Sequence, residues 1–391
     1  MGIFHRIKTK LAFAFLAVAL IPAAIIGSYS ISVSTETLLD KELSSQADKL
    51  AHIKNLVQNF LSSARGDALI LSRSPLLKEL LNLKFTSRSG VLLDATKQAV
   101  TDEFLAFSEQ RKIYYQIRYL DETGQEVIRV DFNGRKATAR PDNLLQNKGD
   151  RYYFTRAVKL PAGQVFISPL DLNRENGKIE TPHKPVIRYA VPLKYADGSR
   201  AGLVLTNIDA NQFLKEIKGI MLTDEEGYYL AHPDFSKEWG SSRDLASGFS
   251  FQKEFAHINR QMIGTEGTIE TKSEILTFQE MTIPGTSRIW KIISTEDIDR
   301  VLRNIGEFQQ RFWYILAGSL LVALVFALYL DHKISRPIEK LTLEANKVST
   351  GNLNSPVKTG DKGEIGQLAE AFERMRLSMI KAIEITRRKR Q

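Results

Sequence analysis

Residues 114–132 read YYQIRYLDETGQEVIRVDF, and the fold of the central region follows from this stretch. The run at 114–120 is rich in the aromatic and aliphatic residues that strands favour, and DETG at 121–124 is typical of a tight turn. Residues 125–132 return as a second strand, after which NG at 133–134 marks another turn. The stretch therefore predicts an antiparallel hairpin that opens a sheet.

A second, shorter copy of this pattern follows further along the chain. A strand at 220–223, the turn DEEG at 224–227 and a strand at 228–231 repeat the order of the first hairpin. This internal repeat predicts two related α/β modules in tandem, divided near residue 210. Further strands are predicted at 165–168, 186–192, 201–208, 266–270, 275–281 and 289–294, with a short helix at 211–216.

The segment ahead of the first hairpin has a helical pattern. Leucine, isoleucine, valine and phenylalanine recur at three- and four-residue spacings from Ser34 to about Leu83. Ser34 or Thr35 is expected to cap the start of this helix. One interpretation is a stalk that continues an upstream membrane span, and the other is an ordinary amphipathic helix packed on a domain. The two interpretations are compatible.

Two apolar segments flank the central region. Leu11–Ile31 and Phe312–Leu330 contain no charged residue, and each is long enough to cross a hydrocarbon core of about 30 Å. The first could be a cleaved signal peptide, but it exceeds the 7–15 apolar residues of a signal core. An uncleaved anchor is therefore favoured, and a second helix leads from about Asp297 into the second span.

The charge distribution predicts the orientation of the chain in a membrane. The net charge is +9, of which residues 1–10 carry +3 and residues 331–391 carry +5. Positive flanks are typical of the cytoplasmic side, so both termini are predicted inside and the middle outside an inner (plasma) membrane. A nucleic-acid-binding tail at 387–390 (RRKR) is the alternative, and we expect no nucleic-acid partner. The chain has no cysteine, which excludes disulfides, cysteine metal sites and thiol catalysis.

Several motifs resemble a known class of bacterial sensor. Residues 115–131, RYYF at 151–154, SPLDLN at 168–173 and PVIRYA at 185–190 resemble the distal module of double Cache domains, and residues 227–240 resemble the proximal module. Such domains occur in histidine kinases, diguanylate cyclases and chemoreceptors of bacteria. The resemblance covers roughly residues 34–310. It implies an α+β fold of two tandem PAS-like Cache modules with a long N-terminal stalk helix.

The segment after the second span resembles a HAMP linker. ISRPI at 334–338 resembles its entry and EIG at 364–366 the start of its second helix, although Gly363 replaces the acidic residue usual before that helix. Each helix has one apolar seam of coiled-coil spacing, formed by Ile338, Leu341, Ala345 and Val348, and by Ile365, Leu368, Phe372, Met375 and Met379. Two chains forming a parallel four-helix bundle would bury both seams, which predicts a homodimer; a local αα-hairpin is the alternative. The resemblance assigns signal transmission to Pro337, Glu364 and Gly366.

These patterns divide the chain into consecutive segments. They are a cytoplasmic N-terminus (1–10), a transmembrane helix (11–31), a periplasmic double Cache domain (32–311, with a distal module at about 84–210 and a proximal module at about 211–296), a transmembrane helix (312–330), a HAMP domain (331–385) and a basic tail (386–391).

The distal module concentrates arginines and tyrosines. The forked guanidinium group of arginine can bind a carboxylate through two hydrogen bonds, and tyrosines can line a small pocket and offer hydroxyl groups to a ligand. In the sensors that this chain resembles, the ligand lies in this module, which implies a small polar ligand such as a carboxylate or an amine. The candidate ligand-binding residues are Arg118, Arg151, Tyr152, Tyr153, Asp171 and Arg188. As an alternative, Arg118 and Arg129 pair with Asp131 or Asp121 across the hairpin.

No pattern in the sequence points to catalysis. None of the six histidines has the spacing of a metal pair, and no phosphate-binding loop or nucleophile motif is present, so we expect no catalytic residue, metal or cofactor. Residues 331–391 are too few for a kinase module beside the HAMP segment. We therefore predict a receptor that passes its signal to a dimeric HAMP domain, and a separate cytoplasmic signalling protein is one hypothesis for its output. The alternatives are a histidine kinase or diguanylate cyclase without its catalytic module, or a chemoreceptor without its signalling hairpin.

Overall fold

A computed structural model of the chain describes residues 7–86, 90–175, 177–357 and 363–388. The predicted break at Gly360 and most of the two basic ends lie outside these ranges. The helices are α1 (Ile7–Ser72), α2 (Pro75–Phe85), α3 (Val91–Arg111), α4 (Tyr152–Ala157), α5 (Asn211–Leu214), α6 (Phe251–Glu254), α7 (Ala256–Asn259), α8 (Ile298–Leu330), α9 (Arg336–Ser349) and α10 (Glu364–Arg388). The strands are β1 (Tyr114–Leu120), β2 (Glu126–Phe132), β3 (Ala137–Ala139), β4 (Phe166–Ile167), β5 (Asp171–Leu172), β6 (Arg174–Glu175), β7 (Lys178–Ile179), β8 (Pro185–Lys194), β9 (Arg200–Asp209), β10 (Met221–Thr223), β11 (Tyr229–Ala231), β12 (Glu266–Glu270), β13 (Glu274–Thr282) and β14 (Ile289–Asp297).

The chain forms two compact units. One unit is Asp40–Val301, and the other combines Met1–Leu39 with Leu302–Gln391. The first unit contains both large sheets. The second contains the two apolar segments and the C-terminal helices.

The predicted hairpin opens the first sheet. β1 and β2 pair antiparallel, with Ile117 opposite Val130, and the order across the sheet is β3-β2-β1-β9-β8-β4, with β5 also paired to β8. We keep the name distal module for this sheet and the helices on it. β10 to β14 form the second sheet, in the proximal module, with the order β11-β10-β14-β13-β12. In each sheet the first strand of the hairpin, β1 or β10, thus lies beside the last strand of the sheet in chain order, β9 or β14.

The two repeated turns have the same hydrogen bonds. Asp121 Oδ1 accepts from the backbone N–H groups two and four residues later, and Asp224 Oδ1 does the same in the second module. Gly124 and Gly227 follow with φ of +86° and +85°, a conformation that favours glycine. The prediction of two related α/β modules in tandem is therefore confirmed.

The long N-terminal helix packs on the distal sheet but differs from the prediction at both ends. Ser34 and Thr35 do not cap it, because α1 is already helical from Ile7 and the Thr35 hydroxyl bonds back to the Ile31 carbonyl. The helix also ends before the predicted Leu83. It stops at Ser72, and α2 begins at Pro75 with the Ser74 hydroxyl accepting from the Leu77 N–H.

The two apolar segments lie in α1 and α8. Both helices are long and apolar enough to cross a membrane, and most apolar side chains of these segments are exposed in the single chain. The segments touch each other: the rings of Phe15 and Phe326 meet edge to face with centroids 5.5 Å apart. Gly27 is buried against the Phe312 ring. A Cβ atom added to Gly27 would lie 1.9 Å from the nearest ring atom of Phe312 and would collide with it.

The C-terminal helices form a small core of their own. A π-helical turn at Asp331–Ser335 joins α8 to α9, and Leu341 and Val348 of α9 pack with Val357 and Ala369. Three members of the predicted α10 seam remain exposed in the single chain: Leu368, Met375 and Met379.

Candidate ligand-binding site

The two faces of the distal sheet differ because side chains alternate along each strand. Ile117 and Tyr189 point into an apolar cluster shared with α1, α2 and α3. The opposite face carries Gln116, Arg118 and Arg188, all of them buried. Buried polar groups need hydrogen-bond or ion-pair partners, so this face of the sheet is the candidate location of a binding site.

An ion pair forms the centre of the candidate site. Arg188 Nη1 on β8 lies 2.5 Å from Asp171 Oδ1 at the start of β5, and Arg188 Nη2 donates to Asn173 Oδ1 at 3.2 Å. The Tyr152 hydroxyl of α4 donates to the other Asp171 oxygen at 2.9 Å. The Arg188 guanidinium also lies over the Tyr153 ring, 5.4 Å from its centroid. Four predicted site residues therefore meet in one network.

The protonation states in this network follow from the surroundings. Burial alone would lower the pKa of Arg188, but the adjacent Asp171 carboxylate together with Tyr152 and Tyr153 raises that pKa above its ordinary value. Burial also raises the pKa of the Tyr152 hydroxyl to about 12, with Asp171 adding to the effect and Arg188 opposing it. The Arg188 guanidinium is thus charged and the Tyr152 hydroxyl remains a donor at neutral pH.

A cavity of about 350 Å³ lies beside this ion pair. Its size is at the lower end of the range for small-molecule pockets. The lining residues are Asp150, Arg151, Tyr152, Pro169, Asp171, Leu172, Arg174, Arg188 and Arg243.

The lining carries more positive than negative charge, with four arginines and two aspartates. Among the described residues, the Arg151 side chain has neither a hydrogen bond nor an ion pair, and Arg174 donates only to the Arg243 carbonyl oxygen. No three histidine, aspartate or glutamate side chains of the described ranges are placed to hold a metal ion. The cavity therefore offers guanidinium donors, which suit carboxylates.

A second charged cluster lies further along the same sheet face. Arg118 of β1 stands directly opposite Arg129 of β2. Glu175 Oε1 lies between them, 3.1 Å from Arg129 Nη2 and 3.8 Å from Arg118 Nη2, and Glu126 Oε1 lies 3.4 Å from Arg118 Nε. Arg129 also pairs with Asp131 at 2.8 Å. Arg129 thus pairs with Asp131, as in the alternative, but along its own strand, while Arg118 pairs with Glu126 across the hairpin and with Glu175.

The predicted ligand-binding residues fall into three groups. Arg151, Tyr152, Asp171 and Arg188 line the cavity, Tyr153 is buried against Arg188, and Arg118 belongs to the glutamate cluster. Sequence reasoning missed Arg174 and Arg243. Arg174 follows the SPLDLN motif directly, so its position was a usable signal, whereas Arg243 comes from the other module.

The residues assigned to signal transmission lie in the other compact unit. Pro337 is in the first turn of α9, Glu364 is the first residue of α10, and Gly366 is buried two residues later.

Sequence profiles of two families match the chain. The profile of the bacterial histidine kinase sensor domain matches residues 84–293, which is more than half of the chain, and the HAMP domain profile matches residues 332–380.

The chain is also similar to curated chemotaxis proteins. It is 24% identical to the methyl-accepting chemotaxis protein TlpB of Bacillus subtilis over 97% of this chain and 52% of that protein. It is 23% identical to McpB of the same organism over 94% of this chain and 50% of that protein. The chain thus spans about half the length of the curated relatives that it matches.

Two solved structures share the fold of the sensor region. A domain of a putative sensory box/GGDEF family protein from Vibrio parahaemolyticus aligns with a TM-score of 0.60 and 20% identity, covering 68% of this chain and 99% of that one. The extracellular domain of a putative histidine kinase aligns with a TM-score of 0.59 and 20% identity, covering 70% and 96%.

Proposed function

The chain belongs to the bacterial histidine kinase sensor domain family, and from that premise we propose that it is a transmembrane receptor for a small extracytoplasmic acid. The ligand binds in the cavity beside the Asp171–Arg188 pair, in the distal module of a double Cache domain. The observation that carries this proposal is the unpartnered Arg151 guanidinium at a cavity with an excess of arginines. A carboxylate there gains charge-assisted hydrogen bonds that the protein itself does not supply.

An amine is the second candidate ligand, because Asp150 also lines the cavity. The other aspartate, Asp171, is already held by Arg188 and Tyr152, so an amine would have to compete for it. The balance of charge therefore favours an acid.

The membrane topology of this receptor places the sensor outside. The two apolar segments cross the inner membrane, and the basic segments 1–10 and 331–391 lie in the cytoplasm. A multi-pass protein with a periplasmic sensor domain results. The uncharged segments suit a mechanical element better than an ion path.

The HAMP segment converts the signal in a homodimer. Ligand binding favours one of two packings of its helices, through Pro337 at the entry and Glu364 and Gly366 at the second helix. A ligand shifts such an equilibrium only by its difference in affinity for the two states, and a reversal from 1:99 to 99:1 needs about 5.5 kcal/mol. The output passes to a separate cytoplasmic signalling protein or, as the second candidate, to a kinase, cyclase or chemoreceptor segment of a longer polypeptide.

Thermal shift of the full chain in detergent micelles tests the ligand site. A panel of small carboxylic acids, amino acids and amines is screened, and an acid is expected to raise the unfolding temperature. Arg151→Ala should abolish that shift without lowering the unfolding temperature of the unliganded protein, since Arg151 makes no bond within the described structure. The matched control is Arg200→Ala, at the exposed start of β9.

Two results would contradict the proposal. If no acid or amine raises the unfolding temperature, the proposed ligand site is wrong. A shift that survives both Arg151→Ala and Asp171→Asn unchanged would place binding elsewhere.

A further inference from the structure

A loop of the proximal module reaches the cavity of the distal module. Asp244 Oδ1 accepts a hydrogen bond of 2.8 Å from the Leu172 N–H, next to Asp171 of the central ion pair. The Arg243 carbonyl accepts one of 2.9 Å from Arg174 Nη2. The Arg243 side chain completes the lining of the cavity. The candidate site is thus built from both modules.

The loop is held in place by its own hydrogen bonds. Asp244 is buried, and its second oxygen accepts from the Ser241 hydroxyl at 2.7 Å. The Ala246 N–H bonds to the Ser241 carbonyl at 2.9 Å, and the Gly248 N–H bonds to the Gly240 carbonyl at 2.9 Å. Arg243 is therefore presented from a preformed loop.

Arg243 also connects the cavity to the repeated turn of the proximal module. Its Nη2 atom lies 3.0 Å from Asp224 Oδ2, in the DEEG turn. Its Nε atom is buried without a hydrogen-bond partner among the described residues. Asp224 thus uses only part of the donor capacity of this guanidinium, and Nη1, which lies 4.0 Å from Glu226 Oε1 and makes no hydrogen bond among the described residues, can donate to a ligand.

The charge of the lining favours an acidic ligand. Four guanidinium groups and two carboxylates line the cavity, and Asp224 beside Arg243 reduces the surplus of positive charge without removing it. Two acidic groups of one ligand can each meet a guanidinium, Arg151 on one module and Arg243 on the other. Desolvated charges are costly without partners, which disfavours a neutral or cationic occupant.

We propose that the cavity binds a small dicarboxylate that bridges the two modules, with one carboxylate at Arg151 of the distal module and the other at Arg243 of the proximal module. This inference rests on the proposed function, because it assigns the ligand class and a further binding residue to the same site. It also makes Arg243 a specificity residue: a monocarboxylate can use Arg151 alone.

Titration calorimetry on the full chain in nanodiscs tests the proposal with named probes. Malonate, succinate and glutarate are the dicarboxylates, acetate is the monocarboxylate and putrescine the dication. At least one dicarboxylate is expected to bind at least tenfold more tightly than acetate. Arg243→Ala is expected to weaken that dicarboxylate at least tenfold and to leave acetate nearly unchanged, because only the second carboxylate loses its charge-assisted bonds.

Controls separate a contact with the ligand from a structural role. Arg260→Ala, an exposed arginine of the same module, should change neither affinity. Arg243→Lys keeps the positive charge beside Asp224 but lacks the forked guanidinium group, so it is expected to lose part of the affinity for the dicarboxylate. This variant can be titrated even if Arg243→Ala is too unstable.

Each contrary outcome has a distinct meaning. If no dicarboxylate binds, or only acetate or putrescine does, the ligand class proposed here is wrong. If a dicarboxylate binds and depends on Arg151 but not on Arg243, the bridging inference fails while the proposed receptor function stands. If no acid or amine stabilises the wild-type protein at all, both fail together.

Discussion

Glu175 lies between two arginines that face each other across neighbouring strands. Its charge relieves the repulsion of Arg118 and Arg129, so Glu175→Gln is expected to lower the free energy of unfolding by about 1–2 kcal/mol at neutral pH. Thermal unfolding of the full chain in micelles measures the effect. Glu79→Gln on the exposed side of α2 is the control and should change nothing.

The pH dependence of this effect has a definite sign. Burial would raise the pKa of Glu175, but Arg129 and Arg118 outweigh it and hold that pKa below its ordinary value of 4.5. A carboxyl with a lowered folded-state pKa stabilises the fold above its ordinary value and loses this contribution as the pH falls through the folded-state value. The difference between wild type and Glu175→Gln should therefore be full at pH 7 and shrink below about pH 4.5. A difference that grows on acidification would contradict this account.

Asp224 is expected to behave in the opposite way. Burial raises its pKa from 3.8 to about 6, although Arg243 opposes the shift. A carboxyl with a raised folded-state pKa stabilises the fold below its ordinary value and loses this contribution as the pH rises through the folded-state value. Relative to Asp224→Asn, the wild-type protein should thus lose up to about 3 kcal/mol between pH 4 and 6. Unfolding temperatures measured across this interval should converge at the acidic end; parallel curves would show that Asp224 does not titrate there.

Gly27 is a point of close contact between the two apolar helices, because the Phe312 ring of α8 packs against it. Gly27→Leu would place carbon atoms where the Phe312 ring lies, so the ring must move, and we expect α1 and α8 to separate. The chain has no cysteine of its own, and a Phe15→Cys/Phe326→Cys pair reports their contact through its cross-linking yield. Gly27→Leu should lower that yield. Gly318→Leu should not, since no atom lies within 4 Å of its added Cβ.

Local patterns predicted the elements well where the signal lies within a few residues. The hairpin at 114–132 and the turn at 224–227 follow from strand and turn residues next to each other, and both formed as expected. The helix break at Ser74 was missed, although a serine before a proline is itself an N-terminal signal. The expected cap at Ser34 or Thr35 failed because the first apolar segment and the segment after it form one helix, so no helix N-terminus exists there.

The candidate site combines residues of two modules and was only partly predictable from the sequence. Arg151, Tyr152 and Asp171 were found because one motif-bearing module carries them. Arg243 lies 72 residues after Asp171, and only the packing of one module's loop on the other brings it to the cavity. No spacing rule links such residues, so the contribution of the second module becomes visible only in the fold.

The exposed seam of α10 predicts that the chain assembles into a dimer. Leu368, Met375 and Met379 share one side of the helix at coiled-coil spacing, and the small core around Leu341 leaves them exposed. A second copy of the chain would bury them, so the protein in micelles should have the mass of a dimer by light scattering. Met375→Asp should shift it toward the monomer, because a charge in a seam between helices is strongly unfavourable. Arg374→Asp, one position away and exposed, controls for the added negative charge. If the wild-type protein is a monomer, or if Met375→Asp leaves the dimer unchanged, the local αα-hairpin is the better interpretation of this segment.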